Sequence, residues 1–174
     1  NLKDITLRAL ETLKEADVIF CEDTRHTIKL LNANEIKKPL YACHKFNETE
    51  AAQKILEASR RGEKVAVVSD AGTPVVSDPG NTVCKILREN DEPYTLIPGA
   101  CAFVAALVLS ALPAGRFAFI GFLPDKKGEK IKTLESYKDL TLTLAFHSAP
   151  QDVDKDVAAM YEVFGDRAAV AVRE

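Results

Sequence analysis

Two short strings carry most of the chemically useful side chains in this sequence: CEDTRH at 21–26 and HKFNE at 44–48. Each follows a run of apolar, strand-forming residues. The first sets Glu22 and Asp23 beside Arg25. Its carboxylates can accept a proton, and its guanidinium can hold a phosphate. The same residues also have structural uses, since Asp23 can cap a following helix and Arg25 can pair with Glu22. In the second string, His44, Asn47 and Glu48 offer similar groups, and Asn47 also fits a helix cap.

A third string, VAVVSDAGTPVVSDPG at 65–80, ends a β-branched run in two Ser-Asp turns. Gly72, and Gly99 further on, let backbone approach a ligand closely. Ser69, Asp70 and Thr73 can bond ribose or amino-acid groups. Asp70 and Asp78 can equally be turn formers through Asx-type bonds. His147, after LTLAF, reads first as a strand-end histidine. Lys126, Lys127, Lys130 and Lys132 cluster around Glu129. That cluster is either a solvated helix start or a local contact for a phosphodiester backbone.

Positioning these strings requires a regular scaffold, and the pattern supplies one. Asp4 is expected to cap a helix through LRALETLKEA, followed by strand DVIFC (17–21). A helix near TIKLLN and strand PLYAC (39–43) come next. Asn47 and Glu50 form an N-x-x-E variant of the capping box ahead of AAQKILEASRR, which Gly62 ends. Then follow strand KVAVV (64–68), helix TVCKILREN, strand PYTLI (93–97) and an apolar helix at 101–112. Beyond it lie RFAFIGF (116–122), GEKIKTLESYK, LTLAF (142–146), DVAAMYEVF and RAAVAV, read in turn as strand, helix, strand, helix and strand.

This β/α alternation predicts an α/β fold with parallel strands and helices on both faces. LPAG (112–115) is the linker candidate. It divides an N-terminal α/β domain, 1–112, from the start of a C-terminal α/β domain, 116–174. In an open parallel sheet, ligands bind beyond the carboxyl ends of the strands. The strings CEDTRH, HKFNE, SDAGTP, PGAC, LPDKK and HSAP all fall at such ends.

The totals narrow the function. The chain has 174 residues, 47% hydrophobic and 28% charged, with a net charge of −3. That balance argues against a broad polyanion-binding surface. The longest apolar run, 102–112, is about half of the ~20 residues needed to span a bilayer. Neither G-x-G-x-x-G nor G-x-x-x-x-G-K-[ST] occurs, and the four cysteines show no zinc-like spacing. Reduced, semi-buried thiols in a cytoplasmic protein are expected, with no membrane span and no metal. Both ends read as cut from a longer protein.

Taken together, NLKDITLRALETLKEADVIFCEDTRHTIKLL, HKFNE, VSDAGTPVVSDPG, IPGACA and GFLPDKKGE resemble the ribosomal RNA small-subunit methyltransferase I family of the tetrapyrrole-methylase superfamily (class III methyltransferases). The resemblance implies two α/β domains with a mostly parallel first sheet and a ligand cleft between them. It implies a cytoplasmic homodimer that uses S-adenosylmethionine (SAM) to methylate the ribose 2′-hydroxyl of a cytidine in the 16S rRNA decoding region, with 16S rRNA or the 30S subunit as partner.

By matched motif, SAM falls to Asp70, Ala71, Gly72, Thr73, Pro74 and Val76; to Pro98, Gly99, Ala100, Cys101 and Ala102; and to Phe146, His147 and Ser148. Asp23 and Glu48, with Glu22 and Arg25, are the catalytic candidates. Arg25, His44, Asn47, Lys126, Lys127 and Lys130 are the RNA-facing ones. Three departures from the family pattern stand out. A first strand with its T-P-I-G loop does not precede Asn1, Y-E-S-P-H-R appears as FHSAPQD with His147 at the Glu position, and Asp125 replaces a cation. A tetrapyrrole C-methyltransferase and a non-catalytic SAM- or RNA-binding paralogue are the alternatives.

Overall fold

The structure is a computed structural model and describes residues 1–173. It divides into two compact units, 1–100 and 101–174.

The first unit opens with a 3-10 turn, Leu2–Asp4, and then helix α1 (Leu7–Glu15). Asp4 does not cap that helix. Thr6 does, its hydroxyl accepting from Ala9 N at 3.1 Å, because the 3-10 turn uses up Asp4. Strand β1 (Val18–Cys21), helix α2 (Thr24–Ala33), strand β2 (Leu40–Ala42), helix α3 (Glu48–Arg60), strand β3 (Val65–Val68) and helix α4 (Asn81–Glu89) follow. The strands form one parallel sheet in the order β2-β1-β3.

Side chains on a strand point alternately to its two faces, and the packing follows that rule. Val18 and Phe20 of β1, with Val65 and Val67 of β3, pack on Ala51, Ala52, Ile55, Val83 and Leu87 of α3 and α4. Ile19, Ala66 and Val68 meet Leu10, Leu13 and Leu31 of α1 and α2. All of β1 is buried, so it runs apolar without a break between two helical layers.

The second unit begins with α5 (Ala102–Ser110) and continues through β4 (Phe117–Phe122), α6 (Lys127–Glu135), β5 (Thr143–His147) and α7 (Val153–Phe164). Its two strands are parallel, with a register shift between Phe119 and Gly121. Gly121 absorbs the irregularity at φ 75°. Leu134, Ala159 and Val163 pack with Leu123 and Phe146 into its core. The division falls at 100/101 rather than in LPAG because α5 packs with this sheet: the Phe103 and Phe119 rings stack with centroids 4.3 Å apart.

Two expected strands are absent. Residues 93–97 and 167–172 have strand-like composition but join neither sheet, and Tyr94 and Leu96 are exposed. A strand is held by its ladder and its neighbours more than by propensity, and these stretches have no ladder. No helix among the described residues is long and apolar enough to cross a membrane.

Candidate functional site

The parallel order brings the carboxyl ends of β2, β1 and β3 to one edge of the first unit. CEDTRH, HKFNE and SDAGTP therefore emerge side by side. The β1 and β2 ends are joined directly, Cys43 N donating to Cys21 O at 2.7 Å. The β1 and β3 ends are joined through side chains. Asp70 Oδ1 accepts from Asp23 N at 3.0 Å, and Asp70 Oδ2 lies 3.3 Å from His26 Nδ1. In return, Glu22 Oε2 accepts from Asp70 N at 3.4 Å. Asp70 is thus a bracket between two loops, with both oxygens facing protein groups.

The carboxylates differ sharply in environment. Asp23 caps α2, accepting from Arg25 N at 2.8 Å, and the Arg25 guanidinium clamps both its oxygens at 2.6 to 3.1 Å. The pairing of Arg25 with Glu22 that the sequence suggests does not form. Arg25 folds back on Asp23 instead, since the first turn of α2 brings residues 23 and 25 together. Those hydrogen bonds hold the Asp23 carboxyl well below the usual carboxylate range. Desolvation pushes Glu22 up, helped by the negative charges of Asp70, Asp78 and Asp23. Glu48 is engaged elsewhere. Its Oε1 accepts from Gly80 N at 2.8 Å and Thr82 N at 2.7 Å, satisfying backbone donors at the start of α4.

The Asn47 capping box does not form. Asn47 begins α3 without a side-chain cap bond. Its Oδ1 accepts from His44 N at 2.8 Å, and its Nδ2 donates to Ala42 O at 3.0 Å. Glu50 pairs with Lys54 instead. The Asn47 amide is drawn to the loop before it, where it satisfies one backbone donor and one backbone acceptor at once.

The first proposed donor loop and residues 98–100 of the second lie together in the first unit. Thr73 Oγ1 donates to Ala100 O at 3.3 Å, and a Cβ built on Gly72 would sit 3.6 Å from that same oxygen. Gly72 has φ 72°, which suits glycine, while nothing lies within 4 Å of a Cβ built on Gly99. Ala71, Gly72 and residues 98–100 are exposed, and Pro74 is half-buried. Val76, 44% exposed, follows the strained Val75, whose φ is 79°. Cys101 begins α5 and, with Ala102, belongs to the second unit.

In that unit, Phe146 packs in the core and His147 ends β5 edge-on to Phe119 and Phe122, its buried Nε2 without a partner. Ser148 Oγ donates to Asp156 Oδ2 at 2.6 Å. The lysine cluster divides between surface and interior. Lys126 and Lys127 are exposed and pair with Glu129 and Glu162, but Lys130 is buried in an ion pair with Asp156. It shares the inner face of α6 with Leu134, so it offers no cation to a surface partner.

Phe46, Lys45, His26 and Asp156 carry no individual mark in the sequence patterns above. His26 had a signal, since it lies one helical turn beyond Asp23. Among the described residues no group of three or more His, Cys, Asp or Glu side chains is placed to hold a metal.

Residues 1–174 match the family model for Tetrapyrrole (Corrin/Porphyrin) Methylases. A Pseudomonas aeruginosa protein named ribosomal RNA small subunit methyltransferase I is 41% identical over 100% of this chain and 62% of its own length. A Thermotoga maritima protein of the same name is 42% identical over 100% of this chain and 78% of its own. The chain spans about three fifths of the length of several such relatives. In fold it is similar to uroporphyrin-III C-methyltransferase from Thermus thermophilus complexed with S-adenyl homocysteine, at a TM-score of 0.59 and 19% identity over 91% of this chain and 71% of that one. The chain belongs to the ribosomal RNA small subunit methyltransferase I family, within the tetrapyrrole methylases.

Proposed function

We propose that this chain supplies the donor-binding and catalytic loops of a SAM-dependent enzyme that methylates the ribose 2′-oxygen of a cytidine in the 16S rRNA decoding region. The observation that carries this reading is the Asp70 bracket, which ties the β3 glycine loop to CEDTRH at one edge of a parallel sheet. A donor loop and an acceptor-facing loop are thereby held in fixed register. The reading includes a cytoplasmic homodimer, as the resemblance implies.

The residues fit the donor. Exposed residues 71–72 and 98–100, with open space at Gly99, offer a main-chain surface to adenosine and amino-acid moieties, its shape held by bonds from Ser69, Thr6 and Thr73 to the Ala71, Pro98 and Ala100 carbonyls. The Glu22 carboxylate, held beside the Asp70 bracket, suits a cationic ligand. SAM, when bound, supplies a methyl group on a positively charged sulfur that needs alignment more than activation.

Among the catalytic candidates, Glu22 is the proton acceptor. Asp23 is a weakened base because Arg25 stabilises its ionised form, and Glu48 is occupied by two backbone donors. Desolvation makes Glu22 the more proton-seeking carboxylate, and one oxygen receives only a long bond from Asp70 N. Arg25, 87% exposed beyond its pairing with Asp23, faces solvent where a phosphate can dock.

The test is transfer of labelled methyl from SAM by the complete protein to 30S subunits, to naked 16S rRNA and to a porphyrinoid. Label on one cytidine, in an alkali-resistant dinucleotide, is the expected result. Label on the porphyrinoid, or on nothing, rejects the reading.

A further inference from the structure

The tip of the HKFNE loop has no structural reason to be what it is. Residues 44–47 form a tight turn, Asn47 N donating to His44 O at 3.0 Å while Asn47 Oδ1 accepts from His44 N at 2.8 Å. Lys45 and Phe46 are the two central residues of that turn. Such positions usually hold Gly, Asn, Asp, Ser or Pro, each for a backbone reason. Phe46 supplies none of these, and its residue is 83% exposed. It packs into neither core cluster of its unit.

Its immediate surroundings are cationic and aromatic. Lys45 Nζ lies 4.9 Å from the Phe46 ring centroid, and the His44 ring stands edge-on with centroids 6.0 Å apart. The turn is braced by Asn47 Nδ2 on Ala42 O, and Cys43 N on Cys21 O holds it beside the start of CEDTRH. An exposed ring on a braced turn, with a cation at its face, has the chemistry that recognises an unstacked nucleobase and its phosphate.

We propose that Phe46 and Lys45 form a stacking platform for one base of single-stranded RNA, with Lys45 contacting the adjoining phosphate. The proposal rests on the rRNA reading above and adds a base subsite that the motif assignments do not contain. An ammonium joined to an aromatic face matches a phosphate beside an unstacked base, the two groups that recur along single-stranded RNA. Ring stacking tolerates any base, so the platform contributes affinity and orientation while sequence choice lies elsewhere.

Residues 1–174 contain no tryptophan, so Phe46→Trp places a reporter at the tip that is read as the difference from the wild-type protein. Titration of the complete protein with a single-stranded RNA oligonucleotide is expected to quench that fluorescence saturably, whereas a duplex of the same sequence leaves it nearly unchanged. Phe46→Ala is expected to weaken single-strand binding about ten-fold, and Phe46→Tyr to restore it. Lys45→Ala is expected to lower the salt dependence of log affinity by about one phosphate contact, a slope near 0.7.

SAM affinity and circular dichroism, unchanged in all four variants, serve as folding controls. Unaltered RNA affinity in Phe46→Ala, equal quenching by duplex, or quenching only by an added ribosomal protein overturns the platform. Wild-type protein that methylates 30S subunits while Phe46→Ala binds normally refutes the platform alone. Wild-type protein that neither binds nor methylates RNA refutes the rRNA reading and the platform with it.

Discussion

Replacing Asp156 with Ala removes one half of a buried ion pair and leaves the Lys130 ammonium without its partner. Lys130 and Asp156 are each 4% exposed, and Ser148 donates to the second Asp156 oxygen. An unpaired charge at such a site costs about 3–5 kcal/mol. In a unit as small as 101–174, each kcal/mol moves the melting temperature by roughly 4–8 °C, so a fall of about 12 °C or more is expected. Lys130→Met should cost a similar amount, while Lys130→Met with Asp156→Leu removes both charges and should recover most of it. Removing Lys126, whose pairing with Glu129 is exposed at 82% and 61%, should cost under about 1 kcal/mol. Urea titration followed by circular dichroism measures each variant. A loss below about 1 kcal/mol in Asp156→Ala, or a double variant worse than either single one, would falsify the assignment of a buried, mutually dependent pair.

Glu48→Ala should destabilise the first unit by about 2 kcal/mol, because a charged acceptor for Gly80 N and Thr82 N is lost, whereas Glu48→Gln retains an acceptor and should cost less. A catalytic Glu48 would instead show loss of turnover in Glu48→Gln at unchanged stability. The Asp23 carboxyl carbon should show no titration by NMR in the ordinary aspartate range, and Arg25→Ala should move it up toward that range while the cap bond from residue 25 N still holds it down. Glu22, raised by desolvation, ionises first in the unfolded chain, so its contribution to stability is present at low pH and lost as pH rises through its folded value. Glu22→Gln should therefore raise the melting temperature at neutral pH and have little effect in acid, below the ordinary glutamate range; equal effects at both would contradict the shift. Burial pushes the Cys43 thiol up to about 11, so stability linked to it should fall as pH climbs from its unfolded value toward that point, and iodoacetamide should label Cys43 slowly in mildly alkaline buffer.

The first sheet was legible because its strands are short, unbroken apolar runs between helical patterns, as strands covered on both faces are: Val18 and Phe20 face one helical layer, Ile19 the other. The edge where CEDTRH, HKFNE and SDAGTP meet followed from parallel order alone. What the side chains do there did not. Arg25 chose Asp23 over Glu22 because the first helical turn sets the distance, and composition carries no distance. Glu48 looked like a second base, yet it reaches a helix start 32 residues away. Four lysines in LPDKKGEKIK looked equivalent by charge. The spacing of Lys130 and Leu134, one turn apart on α6, was the available sign that one of them points inward. Residues 93–97 failed as a strand because propensity says nothing about whether a neighbouring ladder exists.

Asn47 closes its turn from both sides with one side chain, and that separates form from content at the tip. Neither of the two residues between supplies a side-chain bond that closes the bend. Such a position can be rewritten at the bench, so that the strength of a contact is tuned there while the scaffold beneath stays as it is.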